Sequence, residues 1–142
     1  MIEAHIKDGV AVTKFLYWIK NSNIKKLDEI KVEKKLESFR KQNKYYLFPS
    51  FSTIAGSGPN GAIIHYRSTI KSNRKLNKNH LLLVDSGGQY KWGTTDITRT
   101  ISFNDPSKKT KELYTRVLKG HIAVAMSKID KLKNGNNIDK LA

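Results

Sequence analysis

The sequence predicts an α+β fold organised around one antiparallel hairpin. Two observations carry this. Leu81–Phe103 reads as two β-runs joined by a turn. Three other stretches, near 2–20, 28–41 and 107–129, repeat apolar residues at helical spacing.

The hairpin begins as an unbroken apolar run, Leu81 to Val84, which fits a strand buried on both faces. It meets Asp85, loosens through Ser86-Gly87-Gly88 and turns near Lys91-Trp92-Gly93. A β-branched run, Thr94 to Ile101, then alternates as a second strand. If Gln89–Trp92 form a four-residue loop, Gly88 pairs with Gly93, Gly87 with Thr94 and Asp85 with Asp96. Directly opposed side chains have Cβ atoms roughly 4.5–5.5 Å apart. Two carboxylates held that close disfavour double ionisation, so a fold keeps them by sharing a proton or supplying a cation. Hard divalent cations prefer carboxylate oxygens. The plainer reading makes Asp85 a turn-forming residue before Gly-Gly and Asp96 an exposed strand residue.

The remaining elements follow in order. Residues 2–20 carry Ile2, Ile6, Val10, Phe15 and Ile19 at near-helical spacing, with Lys7, Asp8, Lys14 and Lys20 largely elsewhere. His5 is expected at the helix start, facing solvent or capping. Asn21-Ser22-Asn23 breaks this helix, and a second starts near Asp28 with Val32, Leu36 and Phe39 as its buried stripe. The basic run Lys31–Lys41 reads as that helix's wet face. After Asn43-Lys44, strands are expected at Ser50–Ala55 and Ala62–Arg67, around the loop Gly56–Gly61. That loop lacks the lysine and following helix of a phosphate cradle, so it reads as a structural turn. His65, inside the second of these strands, reads by itself as a packed residue. Ser68–Asn79 is a lysine-rich surface connection and His80 is expected to be exposed. Asn104-Asp105-Pro106 stops the hairpin, and a long helix from Pro106-Ser107 aligns Leu113, Val117, His121, Val124 and Ile129, with His121 packed. Asn134–Asn137 reads as a turn and Ile138–Ala142 as the opening of another helix.

Composition narrows the function classes. The chain has 142 residues, the size of one domain, with 38% apolar and 27% charged residues, enough to build a core. It lacks cysteine, which removes disulfides, thiolate metal sites and cysteine nucleophiles. It has no apolar run of the roughly 18 residues a membrane helix needs, and Met1-Ile2-Glu3-Ala4-His5 does not read as a signal peptide. A soluble cytoplasmic protein without a membrane partner is expected. The net charge of +15 invites a nucleic-acid reading, but only 5 of the 27 basic residues are arginine. Specific readers of nucleic acid rely on arginine forks and aromatic platforms, and neither forms a pattern here. No specific nucleic-acid partner is expected; a polyanion-binding domain is the least supported reading.

The segment VDSGGQYKWGTTDITRT, Val84–Thr100, resembles the metal-binding hairpin of aminopeptidase P, the X-Pro aminopeptidases of the pita-bread metallopeptidase superfamily. The likeness extends through PSFSTIAGSGPNGAIIHYR (Pro49–Arg67), AHIKDGVAVTKFLYWI (Ala4–Ile19) and TRVLKGHIAVA (Thr115–Ala125). It implies the first half of a pita-bread (creatinase/aminopeptidase-like) fold, an antiparallel sheet with helices packed on one face. By the same resemblance, 1–142 is a partial catalytic domain, truncated at both ends. Asp85 and Asp96 match the first two of five ligands, Asp, Asp, His, Glu and Glu. His65 matches the histidine that contacts the substrate and the developing tetrahedral intermediate.

The cofactor implied is two divalent ions, usually Mn²⁺, which activate a bridging water. The substrate is a peptide with proline at its second position, and the full-length protein admits a homodimer. No His or Glu after Asp96 fits the later ligands, since Glu112 and His121 lie on the long helix in the wrong context. The 142 residues alone are therefore expected to be inactive. Trp92 stands where the family usually has a carboxylate, and Ser102 where a histidine is frequent. These departures keep a non-catalytic pita-bread module, serving in binding or assembly, as the alternative.

Overall fold

The computed structural model describes residues 1–128 and 134–142. Two helices, α1 (Ile2–Lys20) and α2 (Glu29–Arg40), come first, separated by a 3₁₀ turn at Ile24–Lys26. Six short strands follow: β1 (Tyr46–Pro49), β2 (Ile54–Ser57), β3 (Leu82–Ser86), β4 (Gly88–Tyr90), β5 (Gly93–Thr94) and β6 (Ile97–Ile101). A second 3₁₀ turn, Gly58–Ala62, succeeds β2, and α3 (Lys108–Met126) and α4 (Gly135–Asp139) end the chain. Met1–Asn104 and Asp105–Ala142 form two separate compact units.

In the first unit, α1 packs on α2 and α2 packs on β2. Phe15, Ile19, Val32, Leu36, Leu82 and Val84 meet in the core. Burying each such side chain contributes roughly 1.5–3 kcal/mol. α2 behaves as its spacing predicts, with Val32 and Leu36 buried and Phe39 packed against the core's edge. Asp28 caps it, accepting from the Lys31 amide at 2.9 Å. Asp28→Ala is expected to cost about 1 kcal/mol, read as a lower urea midpoint at unchanged m-value.

α1 departs from its predicted face. Ile2, Ile6 and Val10 are 81%, 60% and 51% exposed, whereas Ala4, Asp8, Ala11, Val12, Phe15 and Ile19 are buried. The buried stripe still has helical spacing, but small residues and one charged residue occupy its first half. Asp8 belongs there because Arg40, at the end of α2, reaches it: Arg40 Nε lies 2.7 Å from Asp8 Oδ1 and Nη2 lies 3.1 Å from Oδ2. His5 is exposed, its Nδ1 3.1 Å from the Met1 carbonyl oxygen.

The strands form two three-stranded antiparallel sheets, ordered β1-β4-β5 and β2-β3-β6. The predicted hairpin spans both. Its loop is two residues, Lys91-Trp92, because Tyr90 pairs with Gly93 and Gln89 with Thr94. The register continues through β3 and β6, where Ser86 pairs with Ile97 and Asp85 with Thr98. The four-residue loop and the Asp85–Asp96 pairing are thus corrected by two residues. A shift of two preserves the face each side chain occupies, since strand side chains alternate with period two. The apolar run is buried on alternate residues only, Leu82 and Val84. Trp92 lies near the turn tip, its ring centroid 4.2 Å from that of Tyr45.

Between β2 and β3 the expected strand Ala62–Arg67 is absent. Those residues close a 3₁₀ turn and then a second turn, in which the Tyr66 amide donates to the Ile63 carbonyl at 3.2 Å. The earlier strand is shifted to Ile54–Ser57, so the glycine-rich loop opens as strand at Gly56-Ser57 and continues as a 3₁₀ turn from Gly58. His80 is half-buried rather than exposed.

In the second unit, α3 begins at the Ser107 cap as predicted. Its apolar residues are not core: Leu113, Val117 and His121 are exposed and Val124 half-buried. The expected packing of His121 is corrected accordingly, and Ile129 lies outside the described residues. α4 starts at Gly135, so the predicted turn at Asn134–Asn137 is already mostly helical.

Candidate metal centre

One cleft of about 430 Å³ on the first unit gathers Asp85, Asp96 and His65 with Phe51, Ser52, Ile54 and Arg67. β3 brings Asp85, the link between β5 and β6 brings Asp96, and the turn after Gly58–Ala62 brings His65. The two carboxylates are diagonal neighbours across the hairpin, not direct partners, and diagonal pairs on one face remain within reach of each other.

Thr98 takes the place opposite Asp85, and its hydroxyl donates to Asp85 Oδ1 at 2.7 Å. That bond ties one of the two Asp85 oxygens. Asp96 meets no donor from any other residue among the described ones, but its carboxyl and that of Asp85 lie within hydrogen-bond reach of each other. Partial burial, then the neighbouring Asp85 carboxylate, raise the Asp96 carboxyl above its ordinary range. Convergent negative charge of this kind is relieved by a proton or a cation. Two adjacent carboxylates are hard oxygen donors, a donor set that fits a divalent ion such as Mn²⁺ or Mg²⁺. Among the described residues no group of three or more His, Cys, Asp or Glu could hold a metal.

His65 differs from the sequence reading. It sits in a turn, exposed, with φ of 53°, a left-handed conformation uncommon for non-glycine residues, in which histidine is enriched. Its side chain nonetheless lines the cleft. Residue-level reading missed Phe51, Ser52, Ile54 and Arg67. Arg67 stands two residues beyond His65, the only sequence signal that the two could share a surface; the others arrive through tertiary folding alone. A larger cleft, about 630 Å³ between α1 and β6, contains Lys20 and Arg99 but no carboxylate.

The model of metallopeptidase family M24 matches residues 1–142. The chain belongs to metallopeptidase family M24. Among its M24 relatives, the Xaa-Pro aminopeptidase ApepP of Drosophila melanogaster is 43% identical over 143 residues, covering 99% of this chain and 23% of that protein. Aminopeptidase P1 of Lotus japonicus is 40% identical over 163 residues, covering 99% of this chain and 25% of that protein. Of solved structures, the X-prolyl aminopeptidase of Caenorhabditis elegans, described as a cytosolic enzyme with a di-nuclear active site, superposes with a TM-score of 0.82. It is 36% identical, over 88% of this chain and 21% of that one. A prolidase from Thermococcus sibiricus gives 0.72 at 31% identity, covering 87% of this chain and 33% of that one. The α+β, half pita-bread architecture expected from the sequence is that of these neighbours. The chain spans about a quarter of the length of the curated relatives it matches. Among the described residues, no helix is long and apolar enough to cross a membrane.

Proposed function

We propose that this chain carries the two-aspartate half of a dinuclear metallohydrolase centre that removes the first residue from peptides beginning X-Pro. The carrying observation is the convergence of Asp85, Asp96 and His65 on one cleft. Asp85 and Asp96 would hold the divalent ions, with Mn²⁺ the expected metal. When bound, such ions act as Lewis acids that polarise a carbonyl and lower the pKa of water to about 7.

The protein groups divide the remaining work. Thr98 would steady Asp85 through the bond its hydroxyl donates to Oδ1. Asp96 meets no donor from residues other than Asp85 among the described ones. His65 would donate an imidazole N–H to the oxygen that gains charge as the peptide carbonyl becomes tetrahedral, the kind of stabilisation that contributes most in acyl transfer. The family resemblance assigns the remaining ligands, one His and two Glu, to a later half. The 142 residues are therefore proposed to be a partial catalytic domain that binds metal weakly and does not hydrolyse peptides. The complete protein is proposed to act in the cytoplasm, and a homodimer of it is compatible with this reading.

Titrating the 142-residue chain with Mn²⁺, followed by calorimetry and by NMR line broadening, tests the assignment. Asp85→Asn or Asp96→Asn is expected to lower affinity at least about tenfold, or about 1.4 kcal/mol. Unchanged affinity in the double variant would sink it. The small donor set also favours a second reading, a binding or assembly module without catalysis. That module predicts no Mn²⁺ binding that depends on the two aspartates.

A further inference from the structure

Glu29 is fully buried, yet it does not serve its own helix, because Asp28 already caps α2. Its carboxylate is spent entirely on the segment that carries His65. Oε1 accepts from the Ser57 amide at 2.7 Å and from Asn60 Nδ2 at 3.0 Å. Oε2 accepts from Tyr66 Oη at 2.8 Å, the Arg74 amide at 2.9 Å and Asn60 Nδ2 at 3.1 Å. Asn60 Nδ2 also donates to Tyr66 Oη at 2.8 Å, so the two side chains that flank the turn are tied to each other as well.

The turn between those ties is the one bearing His65. Asn60 begins it, with its carbonyl accepting from the Ile63 amide at 3.2 Å, and Tyr66 ends it. His65 has a left-handed backbone, and its exposed side chain makes no hydrogen bond among the described residues. A non-glycine residue keeps such a backbone only where its surroundings over-determine it. Here the over-determination comes from the next residue. Tyr66 has one hydroxyl hydrogen and three acceptors in reach, Glu29 Oε2, the Ser72 carbonyl at 3.0 Å and Ser72 Oγ at 3.2 Å. The charged acceptor makes the stronger bond. An apolar anchor would hold the loop down but not fix its direction, whereas a fully satisfied buried polar network specifies one geometry.

We infer that Glu29 and Tyr66 are positioning residues, which hold His65 over the cleft that contains Asp85 and Asp96. This rests on the reading of that pair as the metal site. The test uses substoichiometric Mn²⁺ added to the 142-residue chain and compares paramagnetic broadening of the His65 ring protons with that of the Asp85 and Asp96 amides. Only four histidines need assignment. In the wild type both sets broaden. In Tyr66→Phe, which removes one oxygen, and in Glu29→Gln, the amides are expected to broaden as before. His65 broadening should fall about tenfold, as the conformer over the cleft passes from major to minor. A role confined to stability would lower the urea midpoint and leave the ratio of the two effects untouched. An unchanged ratio in the folded variants overturns the inference. Should Glu29→Gln fail to fold, Tyr66→Phe decides alone. If Mn²⁺ broadens neither set in the wild type, the metal reading fails and the positioning role fails with it.

Discussion

Arg40→Met is expected to cost the first unit about 3–5 kcal/mol, a large fraction of the roughly 5–15 kcal/mol by which an ordinary domain is stable. Arg40 is 1% exposed and binds Asp8 through two nitrogens, while its Nη2 also donates to Ser86 Oγ at 3.1 Å. Methionine fills similar volume but leaves the Asp8 carboxylate buried with a single strong donor, Tyr90 Oη at 2.7 Å. An orphaned buried charge, more than the lost attraction, sets the penalty. Removing both charges, in Asp8→Leu with Arg40→Met, is therefore expected to recover most of the loss. Urea denaturation of the two variants measures it, and a double variant no more stable than the single would contradict it.

The same pair gives the fold an acid limit. Burial pushes the Asp8 carboxyl up, but the Arg40 guanidinium and the Tyr90 hydroxyl outweigh it and hold the group below the usual carboxylate range. A carboxyl depressed in the folded state stabilises the fold above its unfolded pKa, about 3.9, and stops doing so as pH falls through the lower folded value. The gap in stability between wild type and Asp8→Asn should thus be full at pH 7 and shrink below about pH 4. A gap of equal size at pH 7 and pH 3 would count against the pairing. The surrounding phenols stay protonated throughout: burial, then the charge of Glu37, raises Tyr46 to about 12, and burial, then the Asp8 hydrogen bond, raises Tyr90 further.

This ion pair also marks where residue-level reading reached its limit. The helices α1, α2 and α3 were legible because backbone hydrogen bonding within a helix is local, and Asp28 and Ser107 announce the starts of α2 and α3. The buried face of α1 was not legible, because its first half is set by Ala4 and by Asp8, whose burial depends on Arg40, 32 positions away. Asp85 and Asp96 could be picked out because a register error of two residues leaves every side chain on its face. His65 reads as a strand residue because Ala62-Ile63-Ile64 is apolar and its two isoleucines are β-branched. The polar network around Glu29 instead folds those residues into turns, leaving Ile63 and Ile64 exposed. Such networks join residues far apart in the chain, and hydrophobic periodicity carries no trace of them.

Gly87→Ala is expected to have the other largest effect. The hairpin keeps one register while passing from the β2-β3-β6 sheet into the β1-β4-β5 sheet, and Gly87 is the residue between β3 and β4 where it passes. Its carbonyl accepts from the Ser50 amide at 3.2 Å, which draws the neighbouring chain tightly against it. A Cβ there would fall on the Thr95 carbonyl and the Ser50 hydroxyl, closer than such atoms approach in folded proteins. Thr95 is backbone, and it is bonded both ways to Gly88, whose carbonyl accepts its amide at 2.9 Å and whose amide donates to its hydroxyl at 2.9 Å. It can yield only by opening the crossing, and Asp96 follows it directly in the chain. Overpacking of a core typically costs about 1–3 kcal/mol, and a clash with fixed backbone belongs at or above the upper end of that range. The variant should therefore lose stability by about 3 kcal/mol or more and, where it folds, bind Mn²⁺ more weakly because Asp96 is displaced from Asp85. Gly9→Ala supplies the contrast: it lies inside α1, nothing stands within 4 Å of the added carbon, and alanine there should stabilise by about 0.5–1 kcal/mol. Thermal or urea unfolding of the two variants side by side separates the effects. A Gly87→Ala chain as stable as wild type would mean that the strand crosses between its sheets without the close approach seen at this position.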